Sequence, residues 1–240
     1  MTVRIGTSGW MYDHWEELFY PPGLSRKNWL VFYAQFFDTV EINSSFYHLP
    51  RRETFRRWYE ETPPSFLFAV KASRYITHIK KLRDVAEPLK LFYERVEVLQ
   101  DKCGPLLFQF PPRLAFQGEV FREFLHRLSP SFQYVFEFRH SSFFCEEVYE
   151  LLHAQDIALC FADTPYFPYA EVGTASFVYL RLHGHESLYT HFYSEEELCL
   201  WAKKITSWKE TQKVYCYFDN DYQAFAVYNA RTLRRMLFES

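Results

Sequence analysis

The chain has 240 residues, with 27 Lys and Arg against 30 Asp and Glu and a formal net charge of −3. That length supports one large core, and the near-balanced charge gives no general attraction to nucleic acid or to an anionic membrane surface. Hydrophobic residues make up 48%, and 26 Phe and 18 Tyr are enough both to fill a core and to line a pocket.

Short apolar runs read as strands and amphipathic runs as helices. The first strand is expected over Val3–Gly9, where Gly6-Thr7-Ser8-Gly9-Trp10 ends in small residues and then a large ring. A helix over Lys27–Phe37 leads to a strand over Thr39–Phe46, whose alternation sets Glu41, Asn43 and Ser45 on one face. The next helix, Arg51–Glu60, interleaves Arg51, Arg52, Arg56 and Arg57 with acids, which reads as a solvated face. Pro63-Pro64 stops it before a strand over Phe66–Ala72 that carries Lys71.

A helix over Ala86–Lys102 precedes a strand over Gly104–Phe110, which delivers Gln109 into the Pro111-Pro112 corner. After a helix over Glu119–Leu128, the strand Tyr134–Arg139 places Glu137 and Arg139 on one face. A helix over Glu146–Ala154 leads to the strand Ala158–Asp163. The segment Thr164–Thr174, with two prolines and a glycine, reads as loop without a helix. The strand Phe177–Gly184 sets Arg181 and His183 together. Ser194-Glu195-Glu196-Glu197 forms a capping box at the start of a helix over Ser194–Trp208. A strand over Lys213–Asp219 and a helix over Ala224–Leu237 complete the chain.

Eight strands with mostly helical crossovers point to an α/β fold, a TIM-type (β/α)8 barrel, in one domain spanning residues 1–240. An open doubly wound sheet is the second choice, weakened by the lack of a G-x-G-x-x-G or Walker loop. The five cysteines are odd in number and widely spaced, so buried free thiols are expected rather than disulfides or a zinc site. With no apolar signal-like segment after Met1 and no apolar run of membrane-spanning length, the expected setting is the cytoplasm.

A barrel of this kind carries its site at the carboxyl ends of the strands. Those ends supply the carboxylates Glu41, Glu137, Asp163 and Asp219, the cations Lys71, Arg139 and Arg181, and Asn43, Gln109 and Asn220. His78, His140 and His183 add groups that titrate near neutrality. Trp10, Tyr12 and Phe143 are candidate walls. Arginines at such a mouth suit a carboxylate or phosphate, which they bind with paired hydrogen bonds.

These residues resemble the DUF72, or YecE-like, family. The matching segments are Gly6-Thr7-Ser8-Gly9-Trp10 with Tyr12 and Trp15, Phe19-Tyr20-Pro21, Val40-Glu41-Ile42-Asn43-Ser44-Ser45-Phe46-Tyr47 with Pro50, and Phe68-Ala69-Val70-Lys71-Ala72 with Ile76-Thr77-His78. They continue with Gly104-Pro105, Gln109-Phe110-Pro111-Pro112, Glu137-Phe138-Arg139-His140, Asp163 and Arg181-Leu182-His183-Gly184. Tyr217-Phe218-Asp219-Asn220-Asp221 and Asn229-Ala230 close the series. The resemblance implies a TIM-type barrel and assigns no reaction. Three positions depart from it: Phe143 stands where the family usually has Trp, Asp219 where it often has Asn, and Ala224 where it often has Gly.

Three functions fit these residues. The first is an enzyme acting without metal or other cofactor on a small polar anion, with Arg139 and Arg181 holding the anion. In it Glu137 or His183 moves a proton, and Lys71 polarises an oxygen or forms a Schiff base. Asp163 completes its catalytic set, and Glu41, Asn43, Gln109, Trp10, Tyr12, His78, His140, Asp219 and Asn220 contact the substrate. The second is a divalent-metal isomerase or phosphodiesterase using Glu137, Asp163, His183 and Asp219. The third is a barrel that binds a ligand and catalyses nothing.

Overall fold

The computed structural model describes residues 1–239. Eight parallel strands alternate with helices: β1 (Val3–Thr7), β2 (Thr39–Ile42), β3 (Leu67–Lys71), β4 (Cys103–Gln109), β5 (Tyr134–Glu137), β6 (Ala158–Asp163), β7 (Phe177–Leu182) and β8 (Lys213–Phe218). The α-helices are α1 (Trp29–Tyr33), α2 (Ser44–Tyr47), α3 (Arg52–Glu61), α4 (Ala86–Val96), α5 (Gly118–His126), α6 (Glu146–His153), α7 (Glu195–Trp208) and α8 (Phe225–Phe238). The strand order β1-β8-β7-β6-β5-β4-β3-β2 runs around a TIM-type barrel. Its seam lies between β1 and β2, which share the single bridge Ser8–Glu41.

Alternation along the strands divides the core in two. Outward residues such as Ile5, Val40, Phe68, Phe108, Phe136, Phe161 and Leu180 join the large apolar layer that includes the helices. Inward residues form a separate cluster of Ala69, Leu107, Val135, Ala158, Cys160, Ala162, Phe177, Tyr179, Tyr215 and Tyr217. The inward residues one step further along several strands are polar: Ser8, Glu41, Lys71, Gln109, Glu137, Arg181 and Asp219, all buried. The barrel is therefore apolar along most of its length and ionic at its carboxyl end.

Most expected elements are present, with local differences. The second strand ends at Ile42, and Ser44–Tyr47 turns into a short helix. Ser45 therefore leaves the strand face, and its hydroxyl donates to Ile42 O and Lys71 O at 3.1 and 2.6 Å. The expected Ala86–Lys102 helix kinks at Gln100, which has a φ of 48°. A π-helix over Tyr75–Ile79, unforeseen in the sequence, carries His78 to the barrel end. No helix joins β6 to β7, as expected, and the capping box at Ser194 is formed. Ala224 takes a left-handed backbone, φ 59°, at the entrance to α8, a conformation that glycine adopts more easily. The five cysteines are free; Cys160 and Cys216 are buried, whereas Cys199 is exposed on α7, against expectation. Arg52 pairs with Glu97 and Arg57 with Glu61 at the surface, so the α3 arginines form a solvated face. None of the described helices is long and apolar enough to cross a membrane.

Gly6 makes the seam possible. A Cβ at this position would lie 2.3 Å from the Thr39 carbonyl oxygen on β2. We expect Gly6→Ala to push β1 from β2 and to destabilise the fold by roughly 1–3 kcal/mol, measured by urea unfolding.

Candidate functional site

Arg181 lies at the centre of the ionic layer with no solvent exposure. Its Nε donates to Glu41 Oε2 at 3.0 Å, and its Nη2 donates to Glu41 Oε1 at 2.8 Å and Asp219 Oδ2 at 2.9 Å. Its Nη1 donates to Glu137 Oε2 at 2.6 Å and lies 3.2 Å from His183 Nε2. Three carboxylates from β2, β5 and the end of β8 thus share one guanidinium from β7. Every nitrogen of Arg181 is engaged, which corrects its expected role as a ligand-binding arginine.

A second ring of contacts fixes the carboxylates. Tyr179, two residues before Arg181 and on the same face, donates its hydroxyl to Glu41 Oε2 at 2.6 Å. Gln109 Nε2 and Arg139 Nε donate to Glu137 Oε1 at 2.7 and 2.8 Å. Asn43 Nδ2 reaches Ser8 O at 3.2 Å, and its buried Oδ1 has no hydrogen-bond partner among the described residues. His183 Nδ1 lies 2.8 Å from Asp219 Oδ2, but out of line for a hydrogen bond.

Electrostatics follow from this packing. Burial alone would raise the Glu137 carboxyl, but the Arg181 and Arg139 guanidinium groups overcome it and hold it well below the usual carboxylate range. Burial also opposes ionisation of Asp219, and Arg181 and His183 reverse that effect. Glu137 is therefore a fixed anion and a weak base, contrary to the proton-moving role expected of it.

Lys71 behaves differently. Burial, reinforced by the Arg181 charge, lowers its ammonium to about 8. Its Nζ sits 4.3 Å from the centre of the Phe46 ring and has no hydrogen-bond or ion-pair partner among the described residues. Arg139 faces Phe167 at 4.4 Å and donates to Glu137 through Nε, while its Nη atoms pair with no carboxylate among the described residues and lie by Tyr189. Burial and the charges of Lys71, Arg139 and Arg74 lower His78 to about 4. The β3–β5 side of the mouth is therefore cationic. On the opposite side, burial and the Asp219 charge raise Asp221 to about 6. Tyr12 donates to Ser8 O at 2.5 Å beside it. Trp10, Tyr12 and Asn43 line a groove of about 230 Å3 formed by the segments that follow β1 and β2.

Four expected site residues lie elsewhere. Asp163 follows the inward Ala162, so it points out of the barrel, where it meets His185 and Tyr193. Asn220 follows the inward Asp219 and donates to His191 O and Asn229 Oδ1, tying β8 to the β7–α7 loop and α8. His140 accepts from Ser142 N and so caps the short turn Ser141–Phe143. Phe143 stacks on Phe138 at 4.3 Å within the outer core. The proposed metal set is not assembled: Glu137, His183 and Asp219 surround the Arg181 guanidinium, and Asp163 faces away. Among the described residues no group of three or more His, Cys, Asp or Glu is arranged to hold a metal.

Two residues of the site escaped the sequence reading as candidates. Tyr179 was detectable, because it shares the inward face of β7 with Arg181. Asp221 lies beyond its strand, where alternation gives no guide.

Comparison with known proteins agrees with this architecture. The family described as "Protein of unknown function DUF72" matches residues 4–240. The chain belongs to the DUF72 family. A relative in Escherichia coli K12, the UPF0759 protein YecE, is 27% identical over 90% of this chain and 85% of its own length. The UPF0759 protein YunF of Bacillus subtilis is 25% identical over 98% of this chain and 94% of its own. The crystal structure of a DUF72 protein from Thermotoga maritima superposes with a TM-score of 0.89 at 30% identity, covering 99% of both chains. In this DUF72 chain Asp219 supplies one of the three carboxylates on Arg181.

Two outcomes follow. Arg181→Met leaves three buried carboxylates without their cation, and we expect it to lower stability by roughly 3–5 kcal/mol in chemical denaturation. Glu137 and Asp219 have depressed folded-state values, so their contribution is present above the ordinary carboxylate range and is lost as pH falls through and below it. Glu137→Gln should therefore flatten the acid limb of the stability–pH curve between about pH 5 and 2.

Proposed function

We propose that this DUF72 protein is an enzyme that binds a small anion at the barrel mouth and moves a proton with Lys71. The observation that carries the reading is Lys71, a buried lysine whose ammonium has no hydrogen-bond or ion-pair partner among the described residues, beside a saturated ionic network. Arg181 ties Glu41, Glu137 and Asp219 together into a rigid floor. The Arg139 Nη atoms, without a carboxylate of their own, suit a carboxylate or phosphate oxygen. Lys71, at about 8, is mostly protonated at neutral pH and can give a proton to a substrate oxygen or nitrogen. The same group, once neutral, can take a proton back. Asp221, at about 6, is placed on the opposite rim to serve as the complementary base. No metal is needed for this division of roles.

The test begins with the lysines. Carbon-13 NMR of the reductively methylated protein should show one lysine titrating near pH 8, with its signal absent in Lys71→Met. A lysine set that titrates wholly above pH 10 would sink the reading. Thermal-shift screening of inorganic phosphate and small carboxylates should find stabilising anions whose effect is lost in Arg139→Gln. For any substrate found by that screen, Lys71→Met should lower kcat/KM by roughly 10²–10⁴-fold.

Lys71 also generates a stability test. The unfolded chain holds this proton more tightly than the folded chain, so stability rises with pH between about 8 and the ordinary lysine value of 10.5. Relative to Lys71→Met, the wild type should gain up to roughly 3 kcal/mol across that window, read from paired denaturant curves.

A further inference from the structure

We infer that a second ligand site, for a flat organic cation, lies between the end of β6 and helix α7, outside the barrel mouth. A cavity of about 570 Å3 opens there, within the range of small-molecule sites. Its walls include Tyr169, Tyr193, Trp201 and Asp163.

Asp163 is the carboxylate available to a ligand. One of its oxygens accepts from Tyr193 Oη at 2.8 Å, which fixes the side chain. The other lies 3.0 Å from His185 Nδ1. Glu197, also in the cavity wall, is already held: it accepts from Ser194 N at 2.7 Å and lies 3.0 Å from His191 Nε2.

Two cationic groups of the chain mark what the cavity accepts. The His185 imidazole, a flat ring with a nitrogen donor, occupies the position beside Asp163, and that contact raises its pKa. The Lys204 ammonium lies 4.8 Å from the centre of the Trp201 ring while it pairs with Glu171. A planar cation with paired N–H donors would satisfy both features, with its donors on Asp163 and its face against the aromatic wall. The His185 side chain is 67% exposed, so it can swing into solvent and leave its place to the ligand. His185 is then an internal competitor.

The test uses benzamidinium and its neutral counterpart, benzamide, titrated calorimetrically into the full chain at pH 7.5. Benzamidinium should bind at least tenfold more tightly than benzamide. Asp163→Asn should weaken benzamidinium at least tenfold. His185→Ala, a change at an exposed side chain that leaves the fold intact, should tighten it several-fold. The inference is overturned if His185→Ala gives no gain, if both probes bind equally, or if benzamidinium binds neither wild type nor His185→Ala. Retention of full affinity in Asp163→Asn would also overturn it.

Discussion

A guanidinium with no access to water persists only where anions surround it and all its donors are used. Arg181 meets that condition through Glu41, Glu137 and Asp219, and much of the barrel end is arranged to keep those three carboxylates in place. Tyr179 holds Glu41 from below, Gln109 and Arg139 hold Glu137 from the side, and His183 lies against Asp219. The desolvation of each charge is large, and only the complete set offsets it. The network is therefore a cooperative unit, and its members are poorly suited to gain or lose protons during a reaction cycle.

That constraint separates structure from chemistry within one layer of side chains. The groups whose proton affinity is shifted towards neutrality lie outside the network. Lys71 is near enough to feel the Arg181 charge and far enough to have no carboxylate of its own. His78 is kept neutral near pH 7 by burial and by the cations around it, so it can offer a hydrogen bond without adding charge. Asp221 is pushed the other way by burial and by Asp219, so the opposite rim holds an acid raised to about 6. Burial beside a fixed centre thus shifts the lysine down and the aspartate up, the pattern that acid–base chemistry uses.

The barrel and its polar layer were legible because strand alternation is strict. Glu137 with Arg139 and Arg181 with His183 could be set on shared faces from spacing alone, and the structure brings them together. The same rule, applied one residue further, separates Asp163 from Ala162 and Asn220 from Asp219, and puts Asp163 and Asn220 outside the barrel. Reading the strand ends as a single converging set ignored that parity. What spacing could not reveal is pairing across the barrel. Arg181 and Glu41 are separated by 140 positions, and nothing local distinguishes an arginine that waits for a ligand from one already saturated. The π-helix that brings in His78 and the early end of β2 at Ile42 depend on tertiary contacts, such as the Ser45 hydroxyl on the Lys71 carbonyl.

Glu41 shows why stability and site cannot be separated here. The seam between β1 and β2 has one backbone bridge, and Glu41 is one of its two residues. The carboxylate of that residue crosses the barrel to Arg181 and Tyr179 on β7. The opposite partner of the bridge, Ser8, accepts from Asn43 through its carbonyl, and its hydroxyl lies 3.5 Å from Arg181 Nη2. Where the hydrogen-bonded ladder is weakest, charged side chains span the interior and hold β2 to the far wall. The seam can then be short because the ionic layer does part of the work of a ladder. The arrangement also places the layer at the end where TIM-type barrels carry their sites, so the groups that close the fold form the floor beneath Lys71 and Arg139, the residues proposed to meet a substrate.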